Sequence, residues 1–208
     1  RPSLREALAA RLAADRGLVV SAGQILVVSS AQAAFTLLAQ VLAEPGDRAL
    51  IESPGYAGAR AAVAAAGLAA VPLPVDGTGA DIGRVTGPAR LAYVTPSNQY
   101  PLGVRMALHR REALADWARR SDAWIIEDDY DGEFHWRGRA VATLQSIAPD
   151  VTVYVGSAAK SLMPALRLGW IAAPEALVTS LREGVRNLGL GANLHAQAAF
   201  EAFVEDGA

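Results

Sequence analysis

Seven short, nearly continuous apolar runs constrain the folding of this 208-residue chain more than any other feature. They are QILVVS (24–29), DRALIES (47–53), AAVPLPV (69–75), RLAYVTP (90–96), AWIIED (123–128), VTVYVGS (151–157) and RLGWIAA (167–173). Apolar residues that continue instead of alternating with polar ones mark strands covered on both faces. Helical patterns lie between several of these runs. SAQAAFTLLAQVLAE is stopped by Pro45-Gly46, and YAGARAAVAAAG ends at Gly67. HRREALADWARRS carries Leu114, Trp117 and Ala118 on one face, and PEALVTSLREGVRNLG has proline at its start and glycine at its end. Strands and helices that alternate in this way predict an α/β fold: a mostly parallel seven-stranded sheet with helices on both faces. Residues 76–88, DGTGADIGRVTGP, read as loop, and no linker divides the chain.

Composition narrows the function classes. Hydrophobic residues make up 52% of the chain and the formal net charge is −2, a globular profile that does not point to nucleic-acid binding by this segment. Without cysteine there is no disulfide, thiolate nucleophile or Cys-based zinc site, and a cytoplasmic setting is the natural expectation. No apolar run reaches membrane-spanning length, so no membrane partner is expected. The N-terminal RPSLREALAARLAADRG reads as an amphipathic helix and not as a signal peptide. The chain starts and ends inside helical patterns, which suggests a piece of a longer protein.

The unusual polar residues cluster just after the strands, where open α/β sheets bind their ligands. Ser29-Ser30 follow the first run, Ser53 to Tyr56 the second, Ser97-Asn98 the fourth, Asp128 to Asp131 the fifth, and Ser157 with Lys160 the sixth. Ser30, Ala31 and Gln32 open a helix, where free backbone N–H groups and the helix dipole suit a phosphate; serine there also serves as an ordinary N-cap. Ser157 and Arg167 flank Lys160 and can complete a phosphate cradle, although Arg167 also fits a plain surface role. Asp128, a carboxylate at a strand end, suits a protonated ring nitrogen. Tyr130 and Asn98 can reach a phenolate oxygen. Tyr56 offers a flat face for stacking, or simple packing.

Lys160 is the single lysine among nineteen basic residues. Arginine stays protonated, whereas a lysine amine can lose its proton and attack a carbonyl to form a Schiff base. A phosphate cradle, a ring-nitrogen carboxylate, a stacking aromatic and one such lysine together describe a site for pyridoxal 5′-phosphate (PLP).

Four stretches, PGDRALIESPGYAGAR, YVTPSNQYPLGVRM, IIEDDYDGEF and VYVGSAAKSLMPALRLGW, carry a resemblance. They resemble the fold-type I PLP enzymes of the aspartate aminotransferase superfamily. More narrowly, they resemble the aminotransferase-like domain of MocR/GabR-type bacterial transcription regulators. The resemblance covers essentially the whole chain and implies a role for each residue. Lys160 forms the internal aldimine, Asp128 pairs with the pyridine nitrogen, and Asn98 and Tyr130 contact the ring hydroxyl. Tyr56 stacks on the ring. Ser157, Arg167 and the backbone of Ser30, Ala31 and Gln32 hold the phosphate.

The resemblance further implies a single large PLP-binding domain over residues 1–208, without the upstream winged-helix domain and the C-terminal small domain of family members. A homodimer is expected, with an amine or amino-acid effector or substrate, and DNA is reached only through a domain absent from this chain. Two features depart from the pattern. The spacing from Asp128 to Tyr130 is two residues, where aminotransferases usually have three. Gly58 stands where some members place a substrate-binding arginine.

Other readings compete. Ser157-Ala158-Ala159-Lys160 fits the S-x-x-K of acylated serine enzymes, but a chain with one lysine has no K-T-G element and no S-D-N appears. Glu127, Asp128, Asp129, Asp131 and Glu133 offer oxygen ligands for magnesium, but strand alternation sends them in different directions, so many read as solvated. His109, His135 and His195 show no metal-ligand spacing, and no metal is expected. The main contest is between an effector-sensing domain and a genuine PLP-dependent aminotransferase acting on an amino acid and a 2-oxo acid. The motifs favour the sensor.

Overall fold

The computed structural model describes residues 1–132, 142–160 and 162–206. All seven predicted runs are strands, β1 (Ile25–Val28), β2 (Arg48–Ser53), β3 (Ala69–Asp76), β5 (Leu91–Val94), β6 (Trp124–Asp128), β7 (Thr152–Ser157) and β8 (Gly169–Ala172). An eighth, β4 (Gly79–Ala80), lies in the segment expected to be loop and corrects the strand number. The Asp76 carboxylate accepts from the Thr78 N–H at 2.8 Å and from its hydroxyl at 2.7 Å, which turns the chain so that β4 pairs antiparallel with the end of β3.

The strand order is β1-β8-β7-β6-β5-β2-β3-β4. β3, β2, β5, β6 and β7 run parallel, while β8 is antiparallel to both β7 and β1. The carboxyl ends of β1, β7, β6, β5 and β2 therefore share one edge with the start of β8.

Helices cover both faces. α2 (Ala31–Val41), α3 (Ala57–Ala65) and α6 (Glu175–Asn187) pack on one; α1 (Pro2–Arg16), α4 (Leu108–Ser121), the short α5 (Leu144–Ile147) and α7 (Leu194–Glu205) pack on the other. Strand side chains divide with a period of two. Val153 and Val155 join the α2 side, whereas Tyr154 joins the α1 side; Tyr93 and Ile126 join the α2 side, whereas Ala92, Val94 and Ile125 face α4. This alternation decides which residues reach the site from above and which support it from below.

Candidate active site

The topology brings every predicted site residue to the shared edge, in a definite order. Ser30, Ala31 and Gln32 follow β1, Arg167 precedes β8, Ser157 ends β7 with Lys160 in the turn beyond it, Asp128 ends β6, Asn98 follows β5, and Tyr56 follows β2. The phosphate candidates thus occupy three adjacent strands and the ring candidates the next three. Lys160 stands between the groups and is exposed. Neighbouring strands lie about 4.8 Å apart, so β8 and β6 are separated by about 10 Å.

At the phosphate end, the Ser30 hydroxyl caps α2 by accepting from the Ala33 N–H at 3.0 Å. The N–H groups of Ala31 and Gln32 lie in the first turn, where a helix has no carbonyl to offer them. Gly169 lets β8 approach this helix start closely: a Cβ there would lie 2.9 Å from the Ala31 nitrogen. The Ser157 hydroxyl accepts from the Ala159 N–H at 3.2 Å and shapes the turn to Lys160. Arg167 closes the short turn of helix at 164–166 in a left-handed backbone conformation, φ 50°, as Asp122 closes α4 at φ 49°.

At the ring end, Asp128 is 6% exposed. One carboxylate oxygen accepts from the Tyr93 hydroxyl; the other, Oδ1, is buried with no hydrogen-bond partner among the described residues. Burial pushes the carboxyl up to about 7, against the Tyr93 bond that holds it down and with the charges of Asp129 and Glu52 adding to the rise. A cation at Oδ1 would complete this group and restore its ionised form. The Asn98 amide donates to the Tyr130 hydroxyl at 3.1 Å and to Asp131, and the Tyr130 hydroxyl donates back to the Asn98 carbonyl at 3.1 Å. The two residues expected at a ring hydroxyl are therefore joined.

Aromatic rings border this end in edge contacts. Tyr93 meets Phe35 at 5.2 Å between centroids, Phe35 meets Tyr56 at 6.3 Å, Tyr56 meets Tyr100 at 6.0 Å, and Tyr100 meets Tyr130 at 6.2 Å. Tyr56 keeps 37% of its surface exposed. Its ring lies against Gly58, where a Cβ would meet both the ring and the Gln32 amide oxygen. Any side chain at Gly58, an arginine included, would have to displace Tyr56.

Sequence reasoning missed the supports. Glu52 is buried at the end of β2, and its Oε2 accepts from the Thr95 N–H at 3.1 Å, the Thr95 hydroxyl and the Gln99 amide at 3.2 Å. It thereby grips the loop that carries Asn98. Burial raises its carboxyl to about 7, despite these bonds. The acidic run also differs from expectation. Alternation holds, but Glu127 and Asp129 are not solvated: they are 0% and 4% exposed. Glu127 accepts from the N–H groups of Leu144 and Gln145 at 2.8 and 2.7 Å. Glu133 and His135 lie outside the described residues. Among those described, no group of three or more His, Asp or Glu is placed to hold a metal, and no helix is long and apolar enough to cross a membrane.

Two arginines serve the same supporting layer. Arg111 is buried with Leu114, Ala115 and Ala118 on α4, and donates to the carbonyls of Met106, Pro96 and Ala142 at 3.0, 2.7 and 2.9 Å. Arg16 continues the Leu4, Leu8, Leu12 stripe of α1. The available signal was an arginine in helical register with an apolar stripe, four residues after Leu12 in α1 and three before Leu114 in α4.

The fold and this edge define a class. The model of the aminotransferase class I and II family matches residues 1–208, and the chain belongs to that family. Among particular relatives, it is 41% identical over 208 residues to the probable rhizopine catabolism regulatory protein MocR of Rhizobium meliloti, covering 99% of this chain and 42% of that protein. It is 34% identical over 202 residues to the HTH-type pyridoxine biosynthesis transcriptional regulator PdxR of Corynebacterium glutamicum, covering 96% of this chain and 44% of that one. Among solved structures, an archaeal alanine:glyoxylate aminotransferase superposes with a TM-score of 0.91 at 28% identity, over 99% of this chain and 54% of the other. The resemblance drawn from the sequence motifs thus holds. The chain spans less than half the length of these two regulators.

Proposed function

We propose that this chain is the PLP-binding, effector-sensing domain of a MocR/GabR-type transcription regulator. The observation that carries the reading is the buried Oδ1 of Asp128, without a partner among the described residues, on the strand next to the one that leads to the single lysine. When bound, PLP supplies an electrophilic carbon for amines and a ring nitrogen that carries a proton.

The chain's own residues do the rest. Asp128 holds a proton at the ring nitrogen, with Tyr93 fixing the other carboxylate oxygen. Asn98 and Tyr130 orient the ring hydroxyl, and Tyr56 covers one face. Ala31 and Gln32 N–H groups, Ser157 and Arg167 hold the phosphate. The Lys160 amine would anchor the cofactor, and an amine or amino-acid effector would exchange with it there. That exchange favours one of two conformations, and DNA binding follows through a domain outside this chain, in a homodimer. A genuine aminotransferase is the second reading, supported by the likeness to the alanine:glyoxylate enzyme. There Lys160 would go on to carry a proton from the substrate.

The test is reduction with borohydride after incubation with PLP, followed by digestion and mass spectrometry. A phosphopyridoxyl adduct is expected on Lys160 and absent from Lys160→Ala. Unmodified Lys160 under saturating PLP would refute the cofactor reading. Stoichiometric conversion of an amino acid to its 2-oxo acid over many turnovers would favour the enzyme over the sensor.

A further inference from the structure

α1 ends at Arg16 because Gly17 turns left-handed, φ 71°, and returns its N–H to the Leu12 carbonyl. Arg16 is 6% exposed and makes two connections. Its Nη2 donates to the Ser97 hydroxyl at 2.8 Å and to Asp129 Oδ1 at 2.9 Å, and its Nε lies 2.8 Å from Asp129 Oδ2. The Tyr154 hydroxyl donates to that same Oδ2 at 2.8 Å. Burial alone would push the guanidinium's pKa down; the charge of Asp129, with Tyr154 and Glu127, more than offsets this and raises it.

Ser97 and Asp129 are the immediate neighbours of Asn98 and Asp128. Asp128 points to the α2 side with Tyr93, and Asp129 to the α1 side with Tyr154. One guanidinium therefore ties together, from beneath the sheet, the two arms that present the ring contacts above it. A lysine can keep the charge on Asp129, but its point charge does not reproduce a planar fork held by two partners.

We infer that Arg16 is a positioning residue of this site: it sets the spacing between the Asp128 and Asn98 arms and links occupancy of the site to the docking of α1. The inference rests on the PLP reading. A ligand that fixes both arms must strengthen the seat of Arg16, and by linkage a firmly seated α1 must strengthen the ligand. The docking of α1 thus reports what the site holds.

PLP titrations followed by absorbance, on the parent protein, Ser97→Ala, Arg16→Lys and the double variant, test this together with thermal unfolding of the cofactor-free proteins. Hydrogen exchange of residues 10–18, with and without PLP, reads the linkage. Ser97→Ala is expected to weaken PLP by up to about fivefold, the worth of one hydrogen bond, and to lower cofactor-free melting modestly, because the same bond also supports the fold. The double variant should bind no more weakly than Arg16→Lys, because both changes remove one bond. PLP should slow exchange in the last turn of α1 in the parent but not in Ser97→Ala. Parent-like affinity and exchange in Ser97→Ala would overturn the inference and leave the PLP reading standing. Failure of the parent to bind PLP would overturn both. If Arg16→Lys does not fold, Ser97→Ala decides alone.

Discussion

Asp128 and Asp129 leave the end of β6 in opposite directions, and their surroundings differ as much as their directions. Both are buried. Asp129 has both oxygens engaged by Arg16 and one also by Tyr154. Asp128 has Tyr93 on one oxygen and nothing on the other among the described residues. The lower carboxylate is complete without a ligand and serves the fold. The upper one costs stability as it stands, a debt of the kind folds tolerate at ligand sites. Burial by itself therefore does not distinguish these two aspartates; the state of their hydrogen bonds does.

The comparison breaks most readily at Asp129. Asp129→Ala leaves the Arg16 guanidinium buried and unpaired, and should cost about 3–5 kcal/mol in denaturant unfolding. A loss below about 1 kcal/mol would place Asp129 outside the structural class. Tyr93→Phe is milder. It strips the remaining partner from Asp128 without changing shape, and should cost about 1–2 kcal/mol and lower PLP retention on gel filtration. Unchanged retention would mean that Tyr93 does not orient the carboxylate.

Asp128→Asn should have the smallest effect on stability, and its direction with pH sharpens the contrast. The carboxyl's pKa is raised in the fold from an ordinary 3.8 to about 7. Its stabilising share is therefore complete below about pH 4 and is lost as pH rises to about 7, where the folded state must also ionise. Glu52 and Glu127, also raised to about 7, slope the same way. The cofactor-free parent should melt at progressively lower temperature from pH 5 to pH 8. Asp128→Asn should show a shallower decline and melt no lower than the parent at pH 8, yet retain no PLP. A steeper decline in the variant would contradict the assignment of that slope to Asp128.

Much of this was legible before the structure. Continuous apolar runs located seven strands to within a few residues, because strands buried on both faces leave no room for polar positions. β4 escaped because it contains two residues and owes its pairing to a turn at Asp76. The site's upper layer was legible because its residues follow strand ends in the sequence. Its lower layer was not. Tyr93 looks like one more apolar strand residue until the β5–β6 register sets it opposite Ile126, two residues before Asp128 on the same face. Arg16 lies 113 positions from the carboxylate it neutralises.

By itself, the sequence determined the alternation of strands and helices, the polar composition of one sheet edge and the presence of a single amine. Each follows from local chemistry: apolar content, chain-breaking residues, and what a side chain can do as an acid, base or nucleophile. The tertiary structure alone decided which of two adjacent aspartates is satisfied and which is left open. That distinction depends on strand order, register and the face toward which a side chain points. These are set by packing among residues far apart in the chain, where no local pattern records them.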